Sequence, residues 1–170
     1  MLTFGLFMLH FLPTRDYFYP KYFCMARIKI DLPARFAFTC SIPVRISDIN
    51  YGGHVGNDAI LSLVHEARLQ YLRHHGYSEL NLEGAGLIMA DAAIEFRQEL
   101  FYGEQVLVSV TAAEWSRIGF DLYYKLEKKK NDDSTVLVAA VKTGMVCYDY
   151  NQKKVTAVPA AVIARMKTDE

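Results

Sequence analysis

The sequence has no excess charge and few cysteines. Over 170 residues, nineteen basic side chains balance nineteen acidic ones. This balance gives no support to binding nucleic acid or a membrane surface through bulk charge. The three cysteines are far apart and form no CxxC pair, so neither a zinc ribbon nor a disulfide framework is indicated. We therefore expect reduced thiols in a cytoplasmic protein.

Common nucleotide-binding and catalytic motifs are also absent. The stretch HEARL begins like the zinc motif HExxH, but Leu69 occupies the place of the second histidine. The sequence has no GxSxG elbow and no P-loop, and GAGLIM does not complete a GxGxxG pattern. We therefore expect no metal site and no cofactor.

The first 24 residues differ from the rest of the chain, being rich in aromatic residues and uncharged before Arg15. Their apolar run ends at Pro13, which makes it too short to span a bilayer. They also lack the basic start and the cleavage site of a signal peptide. We expect residues 1–24 to be a non-native or disordered extension and Met25 to be the true start; a membrane-tethering tail is the alternative. Residues 25–170 are expected to form a single domain that is not bound to a membrane.

One long helix is predicted between Asn57 and Gly76. Its apolar residues recur at helical spacing and form one stripe: Ile60, Val64, Ala67 and Tyr71. We expect Asn57 to be the N-cap and Asp58 to be a favourable acid in the first turn. The histidines of this segment are expected at the helix surface: His65, His74 and His75.

The sequence predicts five strands, at 36–46, 88–99, 106–110, 118–126 and 135–150. The second, third and fourth alternate between apolar and polar residues, and the fifth is nearly continuously apolar. Pro43 places the first of them at an edge or a bulge. In the second, one face is expected to be buried: Ile88, Ala90, Ala92, Ile94 and Phe96. A short final helix is expected to have Pro159 as its first residue. Consecutive strands with tight turns are largely antiparallel, so the sequence predicts an α+β fold, with a long helix packed on a five- to six-stranded sheet.

Three stretches together resemble a known family: the loop DINYGGHV, the helix HEARLQYLRHHGYS and the strand region AAIEFRQELFYGEQVLV. They are similar to the hotdog-fold acyl-CoA thioesterases related to 4-hydroxybenzoyl-CoA thioesterase, over residues 38–167. The resemblance implies the hotdog fold and hydrolysis of an acyl thioester to a free acid and CoA. It also implies a homodimer or homotetramer with active sites between subunits, and no cofactor other than the CoA of the substrate.

The loop departs from the family pattern at one position. That pattern is D-x-D-x-x-G-H/I-V, and its second Asp is the usual catalytic carboxylate. Asp48 matches the first acid, Asn50 stands in place of the second, and Gly53, His54 and Val55 match the remainder. An asparagine cannot act as a base or nucleophile, but it can hold a water or the thioester carbonyl by hydrogen bonds.

The start of the predicted helix is the expected place for the oxyanion of the reaction. Its first N–H groups lack intrahelical partners and lie at the positive end of the helix dipole. Glycines in the loop allow a substrate carbonyl to approach the backbone closely. The expected substrate-binding residues are therefore Gly53, Val55, Gly56, Asn57 and Asp58.

The identity of the catalytic carboxylate stays open at this point. Glu66 is the first candidate, because it lies two turns along the helix beside the apolar stripe; a solvated surface glutamate is the alternative. Asp48 is the second, with an aspartate that merely structures the loop as its alternative. Asn50 could position the substrate or a water, or only form the turn. His54 could donate to the thioester or carry a proton.

Three other functions remain compatible with the sequence. A hotdog enoyl-CoA hydratase or dehydratase also pairs a histidine with an acid, which His54 and Glu66 could supply. A non-catalytic acyl-CoA-binding protein would explain Asn50. A thioesterase acting on an acyl-carrier protein would be far more active on the protein-bound acyl group.

Overall fold

The computed structural model describes residues 27–36, 38–130, 132 and 134–167. The predicted extension at residues 1–24 and the predicted start at Met25 lie outside these residues. The elements follow in the order β1 (Phe38–Pro43), α1 (Asn57–His74), β2 (Gly86–Phe96), β3 (Gln105–Ala113), β4 (Gly119–Lys129), β5 (Thr135–Asp149), β6 (Lys154–Val155) and α2 (Ala160–Met166). No helix in the described part of the chain is long and apolar enough to cross a membrane.

The six strands form one antiparallel sheet in the order β1-β3-β4-β5-β2, with β6 paired to the end of β5. The predicted α+β class and the antiparallel sheet of five to six strands are confirmed. Pro43 ends β1, which is an edge strand as its proline requires. The two-residue strand β6 was not predicted, because two residues carry no alternating pattern.

Helix α1 lies on one face of the sheet and buries its apolar stripe there. All four predicted stripe residues are buried: Ile60, Val64, Ala67 and Tyr71. Successive side chains in a strand point to opposite faces, so alternate residues of the central strands meet the helix. In β3 and β4 these are Val106, Val108, Val110, Leu122, Tyr124 and Leu126, all fully buried.

The helix termini differ from the prediction by one residue. Gly56, not Asn57, is the N-cap of α1: it has extended backbone angles, and its carbonyl accepts the first helical bond, from Ile60 N–H at 3.2 Å. Asp58 lies in the first turn, as predicted. Pro159 is likewise the N-cap of α2 and not its first residue. A sequence pattern does not locate the start of a helix to within one residue, because a cap is defined by backbone geometry.

The expectation that His75 is a surface residue is wrong. His75 is buried, and its ring packs edge-to-face against Tyr71 at 4.7 Å between centroids. It is the C-cap of α1, where the chain turns back toward α2. Its backbone carbonyl accepts a hydrogen bond from Arg165 Nη1 at 3.0 Å. His65 and His74 are exposed, as predicted.

The predicted buried face of β2 is also wrong over part of its length. Ala90, Ala92 and Phe96 are exposed, whereas Ile88 and Ile94 are half-buried. There are two physical reasons. β2 is the last strand of the sheet, and its register with β5 shifts between residues 89 and 91, so that the alternation changes face.

Candidate active site

The segment between β1 and α1 folds into a tight loop. Asn50 N–H donates to the carbonyl of His54 at 2.9 Å, and Gly53 N–H donates back to the carbonyl of Asn50 at 3.0 Å. Gly56 N–H closes the loop by donating to the carbonyl of Asp48 at 2.9 Å. Gly53 has a φ of +82°, a conformation that favours glycine. The glycine of the family-like pattern is therefore what the backbone requires at position 53.

The contacts of Asp48 are those of an aspartate that structures the loop. Its carboxylate is almost fully buried, accepts a hydrogen bond from Arg45 N–H at 2.8 Å and lies 3.5 Å from Arg45 Nε. Asp48 does not line the cleft described below. Its oxygens therefore hold the short 3₁₀ turn Ile46–Asp48, which leads the chain out of β1.

Asn50 likewise bonds within the loop. Its Oδ1 accepts a hydrogen bond from Gly52 N–H at 2.7 Å, and its Nδ2 lies 3.5 Å from Nδ1 of His54. The side chain thus supports the turn and borders the histidine ring. The structure thus brings Asn50 and His54 together.

A cleft of about 430 Å³ lies at the N-terminal end of α1. The loop and helix contribute His54, Val55, Asn57 and Ile60 to its lining, and residues 96–101 after β2 form the opposite wall. Lys128 and Val138 complete it from β4 and β5. Val55 N–H donates to the carbonyl of Leu100 at 2.8 Å and so joins the two walls.

Residues 97–101 of this wall lie beyond the end of β2, but hydrogen bonds to β4 and β5 hold them in place. The N–H groups of residues 97 and 98 donate to the carbonyl of Val138 at 2.8 and 3.1 Å. Lys128 Nζ donates to the carbonyl of Glu99 at 2.8 Å and to both carboxylate oxygens of Glu104 at 2.9 and 3.1 Å. Leu100 is buried in the core.

His54 and Glu99 face each other across the cleft. Nε2 of His54 lies 3.9 Å from Oε1 of Glu99, and the two side chains are 33% and 63% exposed. Glu99 is the functional candidate that the sequence interpretation missed, since it read as one more polar residue of an alternating strand. No local signal identifies it, because its proximity to His54 depends on how residues 97–101 pass the helix.

Glu66 lies elsewhere. It is exposed, and its Oε1 accepts a hydrogen bond from Gln70 Nε2 at 2.7 Å. Successive helical residues turn by about 100°, so Glu66 is rotated about 120° away from Ile60, which lines the cleft. Glu66 is instead near Cys40 of β1: burial, and to a lesser degree the charge of Glu66, raises the pKa of the Cys40 thiol to about 11. The structure does not bring Glu66 to the loop.

The first turn of α1 opens toward the cleft at Asn57. Gly56 has no side chain to cap the first helical N–H groups, and both Asn57 and Asp58 are exposed. Such N–H groups suit an anionic oxygen. Of the residues expected to bind substrate, Val55 and Asn57 line the cleft. Gly53, Gly56 and Asp58 do not line it, but they are adjacent in sequence to residues that do. The described residues contain no group of three side chains suited to bind a metal ion.

Gly53→Ala is expected to lower turnover about tenfold. A left-handed conformation costs a non-glycine residue roughly 1–2 kcal/mol, and relief of that strain would shift the adjoining His54. Gly84→Ala is the matched control, because Gly84 has a φ of +88° and, like Gly53, no atom near the position of an added Cβ. Thermal denaturation and a turnover assay should show similar stabilities for the two variants and a loss of activity for Gly53→Ala alone. Equal activities would mean that the loop conformation does not serve turnover.

The sequence of residues 44–166 matches the family model of the thioesterase-like superfamily. No curated protein sequence matches the chain. Among solved structures, the chain is similar to a thioesterase-superfamily protein from Jannaschia sp. CCS1, with a TM-score of 0.71 and 17% identity, over 81% of this chain and 85% of that one.

The names of two further solved structures include a substrate. A 4-hydroxybenzoyl-CoA thioesterase with an Asp-to-Asn mutation, complexed with 4-hydroxybenzoyl-CoA, aligns with a TM-score of 0.68 and 18% identity, over 76% of this chain and 97% of that one. A 1,4-dihydroxy-2-naphthoyl-CoA thioesterase from Synechocystis aligns with a TM-score of 0.66 and 24% identity, over 76% and 97% of the two chains. These similarities confirm the predicted hotdog fold.

Proposed function

Because the chain belongs to the thioesterase-like superfamily, we propose that it hydrolyses an acyl-CoA thioester to a free acid and CoA. The observation that carries this proposal is the cleft, in which a helix N-terminus, a histidine and a carboxylate surround one space of about 430 Å³. That volume lies within the range of small-molecule sites, roughly 300–1,000 Å³.

The start of α1 is the proposed site for the thioester carbonyl. Attack on this carbonyl places negative charge on its oxygen, and donors aimed at that oxygen stabilise the transition state. The N–H groups after Gly56 supply such donors, and the N-cap residue itself has no side chain that would bind them. Asn57 lines the cleft at this point and adds an amide that can donate to the same oxygen.

The apolar floor of the cleft is the proposed site of the acyl group. Ile60, Leu100 and Val138 are buried and line this floor, with Phe96 and Phe101 more exposed at its sides. Burial of apolar acyl surface against them supplies binding energy at about 25 cal/mol per Å². The CoA portion would then leave the cleft past the exposed residues of its rim.

We also propose that two copies of the chain pair through β2. This strand is an edge with exposed apolar side chains, among them Met89 and Phe96, and an open edge can pair with a second strand. Phe96 also lines the cleft, so a partner on this edge would lie beside the site. Light scattering after gel filtration should give a dimer or tetramer mass. A monomer mass at micromolar concentration would contradict the pairing.

Release of free thiol from a panel of acyl-CoAs tests the proposed function. The panel contains short, long and aromatic acyl groups, together with an acyl-carrier protein bearing one of them. We expect enzyme-dependent thiol release from at least one CoA ester. Far better activity on the carrier protein would assign the substrate to that class, and hydration of an enoyl-CoA without thiol release would identify a hydratase.

Asn50 favours a second candidate function, acyl-CoA binding without turnover. The family's usual catalytic carboxylate is absent at this position, and the amide of Asn50 is bonded to Gly52 within the loop. A protein of this kind would bind acyl-CoA in a calorimetric titration and release no thiol. The titration and the thiol assay on the same preparation therefore separate the two functions.

A further inference from the structure

The cleft contains one carboxylate that no family pattern assigns. Among the described residues that line it, Glu99 alone carries an acidic side chain. Resting on the proposed function, we propose that Glu99 is the general base of the hydrolysis and that His54 holds the attacking water with it. Glu99 would thus perform from the opposite wall the role that Asn50 cannot perform from the loop.

Three other acidic side chains near this region are engaged elsewhere, and Asp58, in the first turn of α1, does not line the cleft. The carboxylate of Asp48 is buried against Arg45. Both oxygens of Glu104 bond to Lys128, and one of them also accepts the N–H of Phe101 at 2.8 Å. Glu66 lies on another face of α1 and bonds to Gln70.

The contacts of His54 indicate which of its two ring nitrogens carries the proton. Nδ1 lies 3.1 Å from the carbonyl oxygen of Val55 and 3.5 Å from Nδ2 of Asn50. It cannot donate to the first and accept from the second at once, and the shorter contact favours a proton on Nδ1. Nε2 then carries the lone pair and points toward Glu99.

The separation of the two groups suits a bridging water. At 3.9 Å, Nε2 of His54 and Oε1 of Glu99 are too far apart for a direct hydrogen bond. Two hydrogen bonds of about 2.8 Å that meet at one water oxygen at about 105° span roughly 4.4 Å, close to this separation. A water held in this way donates one proton to each group, and its oxygen lone pairs point away from both acceptors.

The reaction then follows with all protons accounted for. The water oxygen bonds to the thioester carbon while Glu99 takes a proton from it, and the carbonyl oxygen becomes an oxyanion at the start of α1. Collapse of this intermediate breaks the carbon–sulfur bond. The departing thiolate takes the proton from Glu99, which returns to its carboxylate form. The products are one carboxylic acid and one CoA thiol for each water consumed.

Glu99→Gln tests the assignment, because it keeps the size and hydrogen bonding of the side chain and removes its basicity. We expect kcat to fall about 100-fold, the size of a typical general-base contribution, with KM changed less than about threefold. Glu83→Gln, at an exposed turn beyond the far end of α1, is the matched control and should keep wild-type turnover. Circular dichroism verifies that both variants fold.

A second variant, Glu99→Ala, distinguishes a general base from a side chain that has only a structural role. Glu99→Ala should lose as much turnover as Glu99→Gln, and added formate should restore part of it in proportion to its concentration, since an exposed site admits a small carboxylate. If the wild type releases thiol and Glu99→Gln keeps at least half of its kcat, the base assignment is overturned and the proposed function stands. If the wild type releases no thiol from any substrate, both are overturned.

Discussion

Glu79→Ala is expected to lower the free energy of unfolding by about 3 kcal/mol. Glu79 follows α1 and forms an ion pair with Arg68 of that helix, with Oε1 2.6 Å from Nε. The side chain of Arg68 is only 8% exposed, and that of Glu79 is 25% exposed. Removal of the carboxylate leaves a buried guanidinium without its counter-charge, which typically costs 3–5 kcal/mol. The partial exposure of Glu79 places the expected value at the lower end of this range.

Urea denaturation of the variant, with Glu66→Ala as control, measures this effect. Glu66 is an exposed glutamate of the same helix, so its removal should change the free energy of unfolding by no more than about 0.5 kcal/mol. Arg68→Met combined with Glu79→Ala should cost less than the sum of the single changes, because neither charge is then left buried alone. An additive double variant would contradict the buried pair.

The same pair predicts how stability responds to acid. Burial raises the pKa of Glu79, but hydrogen bonds from Arg68 and His65, together with their charges, outweigh it and hold the pKa below its ordinary value of 4.5. A carboxyl whose pKa is depressed by folding stabilises the protein above pH 4.5, and this contribution is lost as the pH falls through the folded-state value. Stability measured from pH 6 down to pH 3 should therefore fall less steeply for Glu79→Ala than for the wild type.

Gly119→Ala is expected to cost at least about 3 kcal/mol, because the added Cβ meets backbone. Gly119 opens β4 opposite Val146, and a Cβ at this position would collide with the carbonyl oxygen of Met145 and lie 3.1 Å from its carbonyl carbon. A neighbouring side chain could rotate away, but a paired strand cannot move without loss of its hydrogen bonds. Overpacking a core costs roughly 1–3 kcal/mol even where side chains adjust, so this site lies at or above the upper limit.

Gly84→Ala is the control for this substitution too. At that turn an alanine meets no atom within 4 Å and suffers only from its φ of +88°, which costs roughly 1–2 kcal/mol. Thermal unfolding should therefore show a much larger decrease in Tm for Gly119→Ala than for Gly84→Ala. Equal decreases would mean that β4 and β5 are not as close at Gly119 as the structure has them.

The elements whose residues repeat were predictable from the sequence. The stripe of α1 and the alternating residues of β3 and β4 are determined by periods of 3.6 and 2, which reflect local backbone geometry. The burial of His75 was not predictable, because it depends on where the chain turns after the helix. The exposure of Ala90 and Ala92 in β2 depends on its place at the sheet edge, which a pattern within one strand does not contain.

The candidate site likewise has a part that the sequence predicts and a part that it does not. The loop from Asp48 to Val55 is a local structure, so its sequence predicted a glycine-rich turn before the helix, whereas the approach of Asn50 to His54 was found only in the structure. Glu99 is forty-five residues from His54 in the sequence, and their proximity depends on the bond between Val55 N–H and the carbonyl of Leu100. Glu66 was a reasonable candidate by spacing, but its position about the helix axis leaves it bonded to Gln70 and outside the lining of the cleft.

A crystal structure of the wild-type protein with a non-hydrolysable acyl-CoA tests the central claim most directly. In this ligand a methylene group replaces the thioester sulfur, so the carbonyl remains and cannot be cleaved. We expect the carbonyl oxygen within 3.2 Å of an N–H group in the first turn of α1. We also expect its carbon to face a water between His54 and Glu99, with the acyl group on Ile60. An acyl carbonyl bound near Glu66, or anywhere outside this cleft, would contradict the account.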